Sequence, residues 1–241
     1  MQKIGLIGYG RFGKLWAEML SSHFKVMVYD SQPRIPKNGV EIVPIHQVIA
    51  TDTLFLAVPI SSFKSVVEEI APSLRPGTTV LDVCSVKVYP ATVMLEHFAP
   101  EIGIIATHPL FGPDSYQPDK SRKIMMHPTR DTYHRFPFWK KFFQKLGLQV
   151  VEMTPEEHDK LAAETQGITH FLGRMLQAAG VKRTPIDTQG FLDLLDLMEQ
   201  TCHDSWELFM DLQTFNPHTP EVLARLEKAL KNVRDTILKG A

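Results

Sequence analysis

The chain has 241 residues, 44% of them hydrophobic and 22% charged, enough for one large domain or two smaller ones with separate cores. Its 26 Lys and Arg are matched by 27 Asp and Glu, so no basic excess draws it to nucleic acid or anionic lipid, and small-molecule chemistry is favoured. The two cysteines, Cys84 and Cys202, lie far apart and form no metal-ligand spacing, so neither a disulfide framework nor a zinc site is indicated and a reducing compartment fits. The first residues run directly into Ile4-Gly5-Leu6-Ile7 without a signal-like segment, and no apolar run reaches membrane-spanning length. A cytoplasmic location without a membrane partner is expected.

In chain order, residues 3–7 read as a short buried strand that runs into Gly8-Tyr9-Gly10-Arg11-Phe12-Gly13, followed by the helical pattern Leu15, Trp16, Met19, Leu20. This is a dinucleotide-binding loop in its proper setting. Gly8 allows the tight turn, Gly10 lets backbone approach a pyrophosphate, Gly13 lets helix pack on strand, and the helix start at Arg11 and Phe12 favours the anion. A second strand over 25–29 ends in Asp30, placed to accept hydrogen bonds from an adenosine ribose with both hydroxyls, which favours NAD. Arg34, four positions on, can neutralise a 2′-phosphate and keeps NADP open, and the alternative for Asp30 is an ordinary turn acid.

Strands over 53–58, 78–83 and 103–107 alternate with helices over 62–71 and 89–98, the repeat of a parallel, doubly wound sheet. A strand over 123–127, a helix over 132–146 and a strand over 149–152 extend it. Ala57-Val58-Pro59, Cys84-Ser85-Val86-Lys87 and Thr107-His108-Pro109 fall where strands end, so they are expected to line one crevice with the glycine loop, Val58 and Pro59 on the cofactor. In the loop after the last of these strands, Pro109, Gly112 and Pro113 restrain the backbone around His108. An imidazole there can accept a proton from a substrate hydroxyl while a nicotinamide takes a hydride; the alternative is a histidine that caps a carbonyl.

Beyond Met153 the composition changes. Residues 155–179, 188–212 and 220–238 carry helical periodicity with no further strand signal, so residues 1–153 read as a Rossmann nucleotide-binding domain and 154–241 as an all-helical domain. Thr154 is an N-cap, Pro155 the first helical position, and Glu156 and Glu157 first-turn acids. Leu192, Leu195, Leu197, Met198, Trp206, Leu208, Phe209, Met210 and Leu212 exceed what a helical hairpin buries, so a homodimer through the C-terminal helices is expected. Gln166, His170 and Arg174 fall four apart and would share a helix face able to meet a carboxylate.

Together these residues resemble the prephenate and arogenate dehydrogenases of tyrosine biosynthesis, the TyrA family. The resemblance runs through Gly8-Tyr9-Gly10-Arg11-Phe12-Gly13, Asp82-Val83-Cys84-Ser85-Val86-Lys87, His108-Pro109-Leu110-Phe111-Gly112-Pro113 and Glu157-His158-Asp159 to Thr169-His170. Thr188-Gln189-Gly190-Phe191 and Asp204-Ser205-Trp206-Glu207-Leu208 are most similar to the arogenate enzymes of plants.

The resemblance implies oxidation of a cyclohexadienyl substrate at its hydroxyl-bearing carbon, with loss of CO2 aromatising the ring. It implies His108 as general base, Ser85 bonding the same hydroxyl or orienting the imidazole, and His170 binding substrate; for His170 alone the alternative is a satisfied structural histidine. Lys87 attracts substrate carboxylates, supports the loop, or is simply solvated. Asp159 either complements the helix dipole or, if buried, pairs with the ammonium of arogenate, and His158 is expected to be exposed. Many bacterial members carry an arginine in a Gly-Phe-Arg-like segment, whereas this chain has Gly190-Phe191-Leu192-Asp193, which leaves Arg174, Lys87 or a partner subunit to anchor the carboxylate. The rivals are another two-domain hydroxy-acid dehydrogenase, which lacks the His-Pro loop with its partner histidine, and a nucleotide-sensing regulator, which has no need of Ser85, His108 and His170 together.

Overall fold

The computed structural model describes residues 1–117 and 121–240. The chain divides into two compact units, Met1–His158 and Asp159–Ala241.

The first unit is built on eight strands: β1 (Lys3–Ile7), β2 (Lys25–Tyr29), β3 (Val40–Ile42), β4 (Thr53–Leu56), β5 (Thr79–Asp82), β6 (Gly103–Pro109), β7 (Arg122–Arg130) and β8 (Leu148–Glu152). Helices α1 (Arg11–Ser21), α2 (Ile45–Val48), α3 (Ile60–Ile70), α4 (Val88–His97) and α5 (Phe136–Lys145) connect or flank them. The strands form one sheet in the order β3-β2-β1-β4-β5-β6-β7-β8. Strands β4, β5 and β6 are buried at every position, which is why they read as continuous apolar runs instead of alternating ones. Trp16 of α1 lies with its ring 5.9 Å from Phe55 of β4 and 5.4 Å from Phe143 of α5, while Trp139 sits 5.1 Å from Phe55. Fully buried side chains of this kind contribute roughly 1.5–3 kcal/mol each, and this aromatic cluster fixes α1 and α5 to the sheet.

Three features depart from the sequence reading. Strand β3 is an added edge strand of three residues, parallel to β2. Strand β7 runs antiparallel to β6, so the sheet is not wholly parallel. That antiparallel partner also extends β6 through Pro109, pairing His108 with Met125 and Pro109 with Ile124, and Leu110 N–H continues the ladder to Lys123 O. His108 is therefore held within a paired strand and not in the loop beyond it.

The second unit is helical. Helix α6 (Pro155–Ala162) carries the chain across the division, and a π-helical turn, Ala163–Gly167, joins it to α7 (Ile168–Ala178). Helices α8 (Gln189–Cys202), α9 (Trp206–Thr214) and α10 (Thr219–Gly240) follow. A Cβ on Gly173 would stand 1.9 Å from Thr201 Oγ1, so α7 and α8 approach closely there and a side chain at 173 would have to displace Thr201. The expected helix over 188–212 is broken at 203–205, where Ser205 caps α9 by accepting from Leu208 N–H at 3.1 Å. Leu195, Phe209, Leu212 and Val222 are buried, whereas Leu230, Val233, Ile237 and Leu238 of α10 are exposed. Among the described residues no helix is long and apolar enough to cross a membrane.

Candidate active site

The glycine loop links β1 to α1. Gly8 has φ +99°, and a Cβ there would meet Ala57 O at 2.3 Å, while a Cβ on Gly13 would meet Gly8 O at 2.2 Å. Both glycines answer to the protein's own packing. Gly10 is different: nothing lies within 4 Å of where its Cβ would be, and it precedes α1 without any side-chain cap on the first-turn amides. A bare backbone that the protein's own atoms do not need, beside uncapped N–H groups, fits a pyrophosphate. The Arg11 guanidinium is paired with the Asp114 carboxylate at 2.6 Å, so toward a cofactor Arg11 offers its backbone. Phe12 stacks on Trp16 at 5.7 Å and leans on Phe111.

Asp30, at the end of β2, accepts from Tyr9 N–H at 2.6 Å and from Gln32 N–H at 2.8 Å, and Arg34 Nε stands 3.0 Å from its Oδ1. Burial raises its carboxyl, but the amides of Tyr9 and Gln32 and the Arg34 guanidinium outweigh that and hold it below the ordinary carboxylate range. Arg34 thus neutralises the very acid that would repel a 2′-phosphate. Val58 is half-buried and Pro59 exposed at the end of β4, where Pro59 leads into α3.

Between β5 and β6 lies a buried ion pair. Lys87, at 0% exposure, bonds Asp82 and donates to Thr107 O at 2.5 Å, and Asp82 also accepts from Cys84 N–H. Burial raises the Asp82 carboxyl, against the pull of Lys87 and the amides of Cys84 and Thr107. Lys87 is consequently neither solvated nor open to a substrate carboxylate; it ties the end of β5 to the residue before His108, the loop-supporting reading. Ser85 is half-buried on the loop that Lys87 closes.

His108 is buried at 5% exposure, and its Nδ1 lies 2.8 Å from Nε2 of His158, itself 4% exposed. The expectation of an exposed His158 is overturned. Thr154 and Glu157 form a reciprocal capping box, Glu157 Oε2 accepting from Thr154 N–H at 2.8 Å and Thr154 Oγ1 from Glu157 N–H at 3.2 Å. That box sets where α6 begins and turns His158 inward onto His108. Burial first, then His158 and Lys87, hold His108 well below its ordinary value, so it is unprotonated at neutral pH.

Within the helical unit, His170 Nδ1 is buried without a hydrogen bond, 4.0 Å from Asp204 Oδ2. Burial lowers the His170 pKa, Asp204 opposes this, and Arg174 adds to it. Arg174 donates to Asp204 O and lies over the rings of Trp206 and Phe209, with its Nε buried and unbonded. It is thus largely engaged by the link between α8 and α9. Gln166 falls inside the π turn that leads into α7 and His170. Asp159 is completely buried, which rules out a solvated acid at the helix start; its backbone oxygen accepts from Asn216 Nδ2 at 2.8 Å. Among the described residues no group of three or more His, Cys, Asp or Glu is placed to hold a metal ion.

Comparison with known proteins bears on this arrangement directly. Residues 24–128 match the family model "Prephenate dehydrogenase, nucleotide-binding domain", and residues 175–241 match "TYRAAT1-like, C-terminal domain". Arogenate dehydrogenase 2 of Arabidopsis thaliana is 32% identical over 250 residues, an alignment covering 96% of this chain and 69% of that protein. The chain belongs to the prephenate and arogenate dehydrogenase family. Arogenate dehydrogenase 1 of the same plant is also 32% identical, with 96% of this chain but 39% of that longer protein covered. Among solved structures, prephenate dehydrogenase from Aquifex aeolicus, in complex with hydroxyphenyl propionate and NAD+, superimposes with a TM-score of 0.77 at 19% identity, covering 99% of this chain and 91% of that one. At that identity the likeness establishes the fold: a Rossmann nucleotide-binding domain followed by a helical domain.

Sequence reasoning did not find His158 as a neighbour of His108, nor Asp82 and Thr107 as the partners of Lys87. The one available signal was Glu157-His158-Asp159 itself, three polar residues at a capped helix start whose inward face nothing local identifies.

Proposed function

We propose that this chain is an NAD(P)-dependent dehydrogenase that oxidises and decarboxylates arogenate, prephenate or both, forming tyrosine from the first and 4-hydroxyphenylpyruvate from the second. The observation that carries this reading is His108: a desolvated, unprotonated imidazole fixed in β6, in a member of this family. The nicotinamide, when bound, supplies the hydride acceptor. Gly8, Gly10 and Gly13 with the amides of Arg11 and Phe12 hold its pyrophosphate, Asp30 the adenosine ribose, and Val58 and Pro59 the adjoining surface. His108 Nε2 accepts the proton of the substrate hydroxyl, and Ser85 bonds the same oxygen. In the helical unit His170 binds substrate through a nitrogen that the protein leaves without a partner, assisted by Gln166 and by the remaining donor of Arg174. Lys87 acts from beneath, as a support of the loop.

Arogenate is proposed as the better substrate, a reading supported by the plant relatives; Asp159 is the acid proposed to meet its ammonium group. The functional boundary is placed at 153/154, so that α6 opens the substrate domain. A homodimer is proposed through the C-terminal helices: Leu223, Leu226, Leu230, Val233 and Ile237 recur at spacings of three and four along α10, the pattern of a helical seam, and the last three are exposed. A cytoplasmic location is proposed, supported by two cysteines, Cys84 and Cys202, that no disulfide joins.

The test is a steady-state assay of the purified protein with both substrates crossed with NAD and NADP, the aromatic product being identified by chromatography. Tyrosine from arogenate, at a higher kcat/KM than prephenate gives, is expected. Absence of turnover in all four combinations would refute the assignment.

A further inference from the structure

We propose that His158 is the positioning residue of the general base: it selects the tautomer of His108 that leaves Nε2 free, and it shares the charge when that nitrogen is protonated. This rests on the reading of His108 as base and adds the partner on its far side. The two rings meet nearly edge to face, 73° apart with centroids at 5.0 Å, and the 2.8 Å between Nδ1 of His108 and Nε2 of His158 is a hydrogen bond. Between neutral imidazoles one nitrogen must donate and the other accept. If His158 donated, the proton of His108 would sit on Nε2 and the base would be blocked. If His108 donates from Nδ1, its Nε2 carries the lone pair that the substrate hydroxyl needs.

Protonation leaves only the second arrangement. An imidazolium has no lone pair on Nδ1, so His108 can then only donate, and the bond to His158 becomes charge-assisted and stronger. An imidazole partner differs from the carboxylate that orients the base in serine-hydrolase triads. A carboxylate would oppose the burial that holds the resting pKa of His108 down, whereas neither His158 nor Lys87 opposes it. The pair therefore orients the base without protonating it in advance. Both ends are fixed independently, His108 by its register opposite Met125 and His158 by the Thr154–Glu157 capping box.

Two measurements test this. Ring 15N NMR of the resting protein should show His108 protonated on Nδ1 and bare on Nε2, and His158→Leu should turn that signal into a mixture of tautomers. In kinetics, His158→Leu should lower kcat about tenfold to a hundredfold, the effect of losing one hydrogen bond to a charged group, with KM little changed. His158→Gln, whose Oε1 can still accept, should recover most of the loss. A proton on Nε2 of His108 in the wild type would overturn the proposal, as would a His158→Leu variant with wild-type kcat or a Gln variant no better than Leu. Should His158→Leu fail to fold, the wild-type spectrum and the Gln variant decide. Should no substrate turn over, the base reading falls, while the tautomer still decides the pairing.

Discussion

A base that is buried and unprotonated at rest has a defined pH signature. Because burial, His158 and Lys87 all push His108 below its ordinary value, the unprotonated, working form should persist through about pH 6.5. The acid limb of kcat/KM is therefore expected below that pH; a limb above about pH 7.5 would show that His108 is not the titrating base. The same shift affects stability with a fixed sign. The unfolded chain binds a proton at the ordinary histidine value and the folded one does not, so stability falls as pH drops through about 6.5 toward the folded value. Asp30 sets a second residue-scale outcome. With Arg34 paired to it, the repulsion of a 2′-phosphate is partly cancelled, and a moderate preference for NAD is expected. Asp30→Ala should narrow or invert the NAD/NADP ratio of kcat/KM; an unchanged ratio would remove Asp30 from cofactor choice.

At the scale of the elements, two glycines of one loop should separate fold from function. Gly10→Ala meets no protein atom within 4 Å, and alanine is the weaker helix N-cap by about 0.5–1 kcal/mol, so its Tm should fall by only a few degrees while NAD binding weakens. Gly13→Ala drives a methyl against Gly8 O and should lower both Tm and affinity. Calorimetry on the two variants checks the pair, and a Gly10→Ala protein binding NAD as the wild type does would place the pyrophosphate elsewhere. The loop was readable from sequence because its glycines answer to local geometry, and β1, β4, β5 and β6 because both their faces are buried. Strand β3 escaped because three partly exposed edge residues carry no such signal. The reversal of β7 is a property of pairing between distant segments, and so is the meeting of His108 with His158, fifty residues apart. The π turn at Ala163–Gly167 left no trace because apolar spacing continues on both sides of it. Ser205, by contrast, is an N-cap residue type standing where the expected 188–212 helix breaks, a signal that was there to be read.

At the scale of the whole molecule, the helical unit buries few large side chains and leaves a seam of them along α10, so a second copy is the expected cover. Light scattering should give a dimer at micromolar concentration, and charges placed at Leu230 and Ile237 should dissociate it; a wild-type monomer would exclude the seam. The central claim is that the chain catalyses hydride transfer with His108 as the general base, and the most direct measurement is the kcat of His108→Ala at saturating NAD and arogenate. A fall of roughly 10²–10⁴ with NAD affinity nearly unchanged is predicted. A variant that turns over at close to the wild-type rate would contradict it.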